Sequence, residues 1–276
     1  MIPNWQTWPG FDFIFFDCDS TLSTIEGIDE LARYKGKFSE IKRLTDAAME
    51  GEVYLQSVYD RRLKILNPTR AEIRRVERFY RETLVQDAAE VIQALQFLGK
   101  EVFIVSGGLL AAVRPFGIWL GIPPENIRAV SLQYDHLSGD WWDYQQDQWG
   151  LRPDVEYLNP ELTPLTQTHG KSEVVGSLLK GRQGRSVLIG DGVSDLAARP
   201  TVNLMIGFGG VIARPRVSAE SNIFIKTKSL APILPLVTSS QEQQKLYQTP
   251  HEAILKEGLT QIQSNDILLN YVGYKA

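Results

Sequence analysis

The sequence predicts an α/β protein in which a parallel β-sheet carries helices on both faces. Residues 11–16 form an apolar run rich in aromatic side chains, which is typical of a buried strand. From Asp87 onward, short apolar runs alternate with helical patterns, and this rhythm is typical of parallel sheets. Residues 22–84 carry helical patterns only, which predicts an all-helical segment inserted after the first strand.

The inserted segment contains four predicted helices with recognisable start signals. Ser39 is the predicted N-cap of the second helix, because a serine side chain can accept a hydrogen bond from a free backbone N–H group. Thr69 is the predicted N-cap of the fourth, and Glu72 three residues later completes a capping-box pattern. The four predicted helices cover residues 24–34, 39–50, 53–66 and a stretch that begins at Thr69.

The remaining chain supplies the predicted sheet and its connections. Its predicted strands cover residues 101–105, 127–132, 186–189, 204–207 and 223–225. Its predicted helices cover residues 88–98, 109–120 with a kink or restart at Pro115, 171–180, and a short stretch from Ser194. The residues from 241 to the end carry apolar positions at helical spacing, so we expect helix that packs on the domain or on a second subunit of a homodimer. The predicted organisation is a core of residues 1–21 and 85–240, a helical cap of residues 22–84, and a helical extension of residues 241–276.

Composition limits the classes of function. The chain has 276 residues and a formal net charge of −4 without a basic run, which argues against nucleic acid as a partner. Its one cysteine excludes an internal disulfide and fits a reducing compartment. The first ten residues lack the pattern of a signal peptide, and no apolar stretch reaches the length of a membrane span. We therefore expect a soluble cytoplasmic protein that has no membrane partner.

Two carboxylates follow the first predicted strand, at the point where it ends. Asp17 and Asp19 are one residue apart, and both can converge on one crevice only where the strand turns. Open α/β sheets bind their ligands at these carboxyl ends. Two neighbouring carboxylates repel each other without a cation, so Mg2+ is the expected partner. A strand that runs into a solvated turn is the alternative for this pair alone.

Three further polar groups follow strands or begin helices. Ser106 and Gly107 follow the second strand, where a hydroxyl and exposed N–H groups can hold phosphate. Lys171 begins a helix, and Asp191 with Asp195 follows another strand. Each group alone is explained by a turn or by an exposed charge. All of them in this order favour a phosphate and metal site.

These motifs resemble those of the haloacid dehalogenase-like phosphohydrolases, and within that superfamily the phosphoserine phosphatases. The superfamily resemblance rests on Asp17-Cys18-Asp19-Ser20-Thr21, Ser106, Lys171, and Gly190-Asp191 with Asp195. The narrower resemblance rests on residues 26–32, 48–51, 105–108, 189–192 and 206–210. It implies a Rossmann-like core with a small helical cap, and Mg2+-dependent hydrolysis of a phosphate monoester through an aspartyl-phosphate. Serine biosynthesis would be the setting, with O-phospho-L-serine as the substrate.

The resemblance also implies roles for the polar groups of the core. Asp17 would be the nucleophile, and Asp19 the general acid that later becomes the base. Mg2+ would be held by Asp17, the backbone carbonyl of Asp19, and Asp191, with Asp195 in support. The residues that would bind the phosphate oxygens are Ser106, Gly107 and Lys171.

In the cap, the resemblance implies a glutamate for the substrate ammonium and an arginine for its carboxylate. Glu26 and Arg62 match these two positions, with Arg61 as the alternative if the register slips by one. Met49 would supply an apolar wall. A helix-start carboxylate and a solvated helix face are the structural alternatives for Glu26 and Arg62.

The chain also departs from the family pattern. Ser194 stands where relatives carry Asn or Thr, residues 141–168 are longer and more aromatic than expected, and the tail after residue 237 has no familiar counterpart. Three alternatives therefore stay open. They are a phosphatase for another small phosphate ester, a phosphotransferase that uses the same aspartyl-phosphate, and a catalytically silent binding protein.

Overall fold

The fold is built around a mainly parallel β-sheet, which confirms the predicted α/β class. The computed structural model describes residues 9–49, 53, 55–135, 155–160, 163–167, 169–264 and 266–270. In these residues the strands are β1 (Phe13–Phe16), β2 (Glu101–Leu109), β3 (Ile127–Val130), β4 (Leu132–Tyr134), β5 (Tyr157–Pro160), β6 (Ser186–Gly190), β7 (Leu204–Phe208), β8 (Ile223–Ile225) and β9 (Ile267–Leu269). The described helices are α1 (Gly27–Tyr34), α2 (Phe38–Met49), α3 (Leu55–Leu66), α4 (Arg70–Glu82), α5 (Ala88–Phe97), α6 (Leu110–Trp119), α7 (Gly170–Leu179), α8 (Val193–Ala198), α9 (Pro215–Glu220), α10 (Ile233–Val237), α11 (Ser240–Gln244) and α12 (Glu252–Ile262).

The sheet order places the first strand at a switch point. Within the described residues the large sheet has the order β3-β2-β1-β6-β7-β8-β9. β1 lies between β2 and β6, and Phe15 pairs in parallel register with Phe103 on one side and Leu188 on the other. All four residues of β1 are buried, which accounts for its unbroken apolar sequence. The carboxyl ends of β1, β2 and β6 therefore meet at one edge of the sheet, where the strand order reverses.

The inserted segment is helical where the structure describes it. α1 packs on α2 and α4, and α4 also packs on α6 of the core. The capping box predicted at Thr69 is confirmed, because the Thr69 hydroxyl accepts from the Glu72 N–H while the Glu72 carboxylate accepts from the Thr69 N–H. The predicted cap at Ser39 is wrong, since α2 already begins at Phe38. The domain boundaries themselves stay a prediction.

Several elements differ from the sequence prediction. α1 begins at Gly27, three residues later than expected, because Glu26 has an extended backbone. β2 continues through the predicted glycine turn to Leu109, with an irregularity in its pairing between Val105 and Leu109. The strand predicted for residues 127–132 is instead two elements, β3 in the large sheet and β4, which pairs antiparallel with β5. α6 runs through Pro115 as one helix and does not restart there.

The C-terminal extension is only partly helical. α12 packs on α10 of the same chain, and Leu255 of α12 is fully buried. β9, however, pairs antiparallel with β8, so the prediction of helix is wrong for this part of the tail. Three consecutive apolar residues have no helical periodicity, whereas they suit a pleated strand. A homodimer stays a prediction.

Two further sequence-based expectations concern the aromatic segment and the lack of a membrane span. Most of the aromatic segment 141–168 lies outside the described residues. Among the helices that are described, none combines the length and the apolar character needed to cross a membrane.

Candidate active site

A pocket lies at the carboxyl edge of the sheet, between the core and the cap helices. The core contributes Asp17, Asp19 and Lys171 to its wall, and the cap contributes Glu26 and Arg62. The structure therefore brings together five of the side chains that the sequence singled out, although they are separated by up to 154 residues along the chain.

Asp17 is fixed in orientation by contacts to both of its carboxylate oxygens. The backbone N–H of Cys18 donates to Oδ1 at 2.7 Å, and Lys171 Nζ lies 2.7 Å from Oδ2. The side chain is almost completely buried, so these contacts replace the water that a free carboxylate would bind. Asp17 therefore enters the pocket as an oriented, charge-paired carboxylate.

Lys171 links two carboxylates at the start of α7. Its Nζ lies 2.7 Å from Asp17 and 2.7 Å from Asp195. Burial opposes the charge on this ammonium, but the two carboxylates and their hydrogen bonds raise its pKa above the ordinary value. A permanently charged lysine at the floor of the pocket is suited to binding the oxygens of an anion.

Asp17, Asp191 and Asp195 form a cluster with oxygens that lie within 4.8 Å of one another. Burial raises the pKa of Asp191 and of Asp195 to about 7. The negative charges of the neighbouring carboxylates act in the same direction. Asp195 is already occupied, with Lys171 on Oδ1 and the Gly192 N–H at 3.1 Å on Oδ2. Asp191 Oδ1, by contrast, is buried and has no hydrogen-bond partner within the described part of the chain. This donor set fits a hard cation, which would satisfy that oxygen and cancel the repulsion.

Asp19 receives two hydrogen bonds on one oxygen. The Gly27 N–H donates to Oδ1 at 2.7 Å, and the Tyr80 hydroxyl donates to the same atom at 2.8 Å. Burial and the nearby charge of Asp17 raise the pKa of Asp19 to about 6, although both hydrogen bonds act in the opposite direction. A carboxyl group with this pKa can exchange a proton near neutral pH, which is what a general acid requires.

The carboxyl end of β2 forms another wall of the pocket. Gly107 and Gly108 line it, while Ser106 is fully buried and its Oγ accepts a hydrogen bond from the Gly108 N–H at 3.0 Å. Ser194, at the start of α8, also lines the pocket. Small residues and a hydroxyl at this position leave room for a phosphate group close to the backbone.

Glu26 is a buried carboxylate at the entrance to α1. Its side chain makes no cap hydrogen bond to the helix. Instead, the Ser20 hydroxyl donates to Oε1 at 2.8 Å, and a nitrogen of Arg214 lies 3.9 Å from the same atom. Burial, with the charges of Asp19 and Asp191, raises its pKa above the ordinary value. Such a group is energetically suited to accept a cation from a ligand.

Arg62 is a buried cation that reaches the pocket from α3. Only 6% of the residue is exposed, and one terminal nitrogen donates to Thr45 Oγ1 at 3.1 Å. Its Nε has no hydrogen-bond partner among the described residues, and none of their carboxylates lies within 4 Å of it. Arg61 is exposed, so Arg62 is the arginine that lines the pocket. Met49 is the last residue of α2, and its contribution to the site stays a prediction.

Two residues of the site were not predicted. Arg214, which follows β7 at the same edge of the sheet, places Nε 3.2 Å from Asp191 Oδ2. Its position after a strand end is a signal that the sequence did contain. Tyr80 contacts Asp19 from α4, but in the sequence it occupies an apolar helix position like any core residue. Nothing in its spacing indicates a polar role.

The geometry agrees with comparisons to known proteins. Residues 14–198 match the sequence profile of the haloacid dehalogenase-like hydrolases. This chain belongs to that family. The hydrolase is 34% identical to a phosphoserine phosphatase of Drosophila melanogaster over 214 residues, which cover 77% of this chain and 73% of the relative. It is 30% identical to a phosphoserine phosphatase of Homo sapiens over 216 residues, which cover 78% of this chain and 88% of the relative.

Solved structures give the same result. A phospho-aspartyl intermediate analogue of phosphoserine phosphatase superposes on this hydrolase with a TM-score of 0.65 at 27% identity, covering 83% of this chain and all 100% of the other. A substrate-bound phosphoserine phosphatase complex superposes with a TM-score of 0.65 at 27% identity, covering 84% of this chain and 100% of the other. The hydrolase therefore has the fold of these enzymes and is a phosphoric monoester hydrolase.

Proposed function

We propose that this hydrolase converts O-phospho-L-serine to L-serine and phosphate, and so acts in serine biosynthesis. One observation carries the proposal. Glu26 and Arg62, two buried side chains of opposite charge, line the same pocket as the carboxylates Asp17 and Asp19. Phosphoserine carries an ammonium and a carboxylate beside its phosphate ester, so its charges complement this arrangement. The similarity to phosphoserine phosphatases supports the same substrate.

Substrate recognition would use the cap residues. The Arg62 guanidinium lacks a carboxylate partner in the described structure, and a substrate carboxylate would supply one with bidentate hydrogen bonds. Glu26 would hold the substrate ammonium. The Ser20 hydroxyl, which donates a hydrogen bond to Glu26 Oε1, would fix the orientation of this carboxylate. Met49 would complete the pocket as an apolar wall. An ester that lacks the carboxylate would leave the buried Arg62 cation unpaired, and an ester that lacks the ammonium would leave the buried Glu26 carboxylate unpaired. Either is costly in free energy.

The chemical steps would use the two aspartates of the first motif. The Asp17 carboxylate attacks phosphorus and forms an aspartyl-phosphate while the bond from phosphorus to the seryl oxygen breaks. Asp19 gives its proton to the departing seryl oxygen. Asp19 then takes a proton from a water molecule, which attacks the phosphorus, releases phosphate and restores Asp17. The raised pKa of Asp19 supports both of its roles.

The phosphate group would be held from the core side. Lys171 would bind its oxygens as a point charge, and Ser106 and Gly107 would donate hydrogen bonds from the carboxyl end of β2. Mg2+ is the proposed cofactor, held by Asp17, the backbone carbonyl of Asp19 and Asp191. When bound, the metal ion neutralises charge on the transferring phosphoryl group.

Asp195 and the single cysteine complete the proposal. Asp195 would hold Lys171 in place, because both of its oxygens already accept hydrogen bonds from the protein. Cys18 is free and fully buried, which fits a protein that works in the reducing cytoplasm.

The deciding experiment is phosphate release with Mg2+ from a panel of small esters, with Asp17→Asn as the blank. The panel contains phosphoserine, phosphothreonine, phosphoglycolate, phosphoglycerate and an aryl phosphate. We expect phosphoserine to be preferred by about a hundredfold in kcat/KM, which corresponds to about 2.7 kcal/mol of differential transition-state binding. An equal rate on every ester, or a higher rate on an ester without an ammonium, would refute phosphoserine as the substrate.

Two other outcomes of the panel identify the remaining alternatives. Transfer of phosphate to an added alcohol, seen as a new ester in place of free phosphate, would indicate a phosphotransferase. Absence of Asp17-dependent release from every ester would indicate a binding protein that keeps the fold.

A further inference from the structure

We propose that Tyr80 is a positioning residue that holds the carboxyl group of Asp19 so that Oδ2 carries the catalytic proton toward the substrate. The inference rests on the proposed role of Asp19 as the general acid. It adds a residue from the cap segment that no motif contains.

The hydrogen bonds on Asp19 distinguish its two oxygens. The Tyr80 hydroxyl and the Gly27 N–H both donate to Oδ1, at 2.8 and 2.7 Å. An oxygen that accepts two hydrogen bonds has both of its lone pairs engaged, so it is a poor place for an acidic proton. The proton of the neutral carboxyl group therefore belongs on Oδ2.

The second oxygen faces the carboxyl end of β2, which lines the proposed phosphate side of the pocket. A Cβ atom added to Gly108 would lie only 2.8 Å from Asp19 Oδ2, so this oxygen lies directly against that glycine. Gly107 and Gly108 both line the pocket. A proton on Oδ2 is thus directed to the side where the ester would lie, which a freely rotating carboxyl group would not guarantee.

Tyr80 is held in this position by its surroundings. The residue is 1% exposed, and its ring packs against Phe116 with centroids 5.3 Å apart. The hydroxyl passes so close to Gly27 that a Cβ atom there would lie 2.2 Å from it. Glycine at this position therefore lets the hydroxyl reach Asp19. If packing were the only requirement at this position, phenylalanine would fill the space equally well. It would also avoid the free-energy cost of burying a hydroxyl group.

In the proposed step, the O–H bond at Asp19 Oδ2 breaks and its proton moves to the seryl oxygen. That oxygen receives the electron pair of the breaking bond to phosphorus, while Asp17 forms the new bond to phosphorus. A leaving group that is stable without a proton does not need this transfer. Acetate released from acetyl phosphate is such a group, whereas a seryl oxygen is not.

The test compares kcat/KM of Tyr80→Phe and the unaltered enzyme on phosphoserine and on acetyl phosphate. The value of kcat/KM reports the steps up to departure of the leaving group, so it excludes the later role of Asp19 as a base. Because general acid catalysis contributes about 10²–10⁴-fold, we expect a loss of about 10- to 100-fold in kcat/KM on phosphoserine. On acetyl phosphate we expect a change of less than about threefold, since no proton is required.

Tyr157→Phe is the matched control. Its hydroxyl donates to Asp60 Oδ1 at 3.0 Å, which is the same type of tyrosine–carboxylate bond, and neither residue lines the pocket. We expect this variant to keep the wild-type ratio between the two substrates. Thermal melting without substrate or metal, measured on both variants, would show how much stability each hydroxyl contributes.

Gly27→Ala serves as a second variant if Tyr80→Phe folds poorly. It keeps the tyrosine but displaces the hydroxyl, so the same difference between the substrates is expected. An equal loss of kcat/KM on both substrates, or an unchanged kcat/KM on phosphoserine, would overturn the inference and leave Tyr80 a packing residue. The proposed substrate is judged separately, by the preference of the unaltered enzyme. If that enzyme prefers another alkyl phosphate, this ester takes the place of phosphoserine in the comparison.

Discussion

Replacing Arg62 with Met tests whether this residue selects the substrate carboxylate. Arg62 is 6% exposed, and its guanidinium lies over the ring of Tyr59, with 5.5 Å between Cζ and the ring centroid. Methionine keeps most of the apolar stem and its packing, so Arg62→Met removes the charge without opening a large cavity. The cost to binding can then be assigned to the lost cation.

The expected size of the effect follows from the contacts of Arg62. In the described structure its Nε is unpartnered and one terminal nitrogen bonds to Thr45. A hydrogen bond to a charged group contributes about 1.5–3 kcal/mol. Burial places the expected value in the upper part of this range, about 2–3 kcal/mol, which is a loss of about 30- to 160-fold in kcat/KM for phosphoserine.

The assay is a cycle that changes the enzyme and the substrate in turn. Phosphoethanolamine has the ammonium and the phosphate of phosphoserine but no carboxylate. We expect Arg62→Met to change its kcat/KM by less than about threefold, because the interaction is already missing. Arg61→Met is the control on the exposed neighbour and should leave both substrates unchanged.

Either of two results would refute this reasoning. If Arg62→Met weakened both substrates equally, Arg62 would act on the shape of the pocket and not on the carboxylate. If Arg61→Met gave the larger loss on phosphoserine, the register of α3 against the substrate would be wrong by one residue.

Two further predictions concern other charged groups. Glu26→Gln should lower kcat/KM at least about 30-fold for phosphoserine but less than about threefold for phosphoglycolate, because phosphoglycolate has no ammonium. A similar loss on both esters would contradict the assignment of Glu26 to the substrate ammonium. Glu242→Gln should lower the free energy of unfolding at pH 7 by about 2–3 kcal/mol, because it leaves the ammonium of Lys100, only 5% exposed, without its partner. Burial raises the pKa of Glu242, but the bonds from Lys100 and Ser239 hold it below 4.5 overall, so this stabilisation is present above pH 4.5 and is lost as the pH falls further.

Denaturant titrations at pH 7 and pH 3.5 check the second of these. The difference in unfolding free energy between wild type and Glu242→Gln should shrink at the lower pH. Glu252→Gln is the control, because its exposed pair with Lys256 should contribute little at either pH. A difference that stayed constant between the two pH values would show that the ion pair is not its cause.

The sequence contained enough information to predict the catalytic edge of the sheet. Asp17, Lys171 and Asp191 are far apart in the chain, but each follows a strand or begins a helix of a parallel sheet. Parallel strands end at one edge, so the pattern of apolar runs alone predicts that these side chains converge. Arg214 obeys the same rule, and it could have been found by applying the rule to β7.

Other parts of the site depend on contacts that no local pattern encodes. The apolar face of α4 includes Tyr80, and helical periodicity treats it as core. That its hydroxyl reaches Asp19 depends on the absence of a side chain at Gly27, which is 53 residues earlier in the chain. The role of β9 is nonlocal in the same way, because a short apolar run becomes a strand only where a partner strand is available.

The pairing of β9 with β8 affects the tendency of the protein to aggregate in a concentrated solution. Without it, β8 would be the edge of the sheet, and its free N–H and C=O groups would be a template for strands of other chains. Asn270 fastens β9 by donating to the backbone carbonyls of Ser218 and Ser221. The residues proposed for catalysis all precede β8, so β9 contributes to the edge of the sheet and not to the chemistry. Removal of β9 would keep every residue proposed for catalysis but would expose the edge of β8 to pairing with other chains.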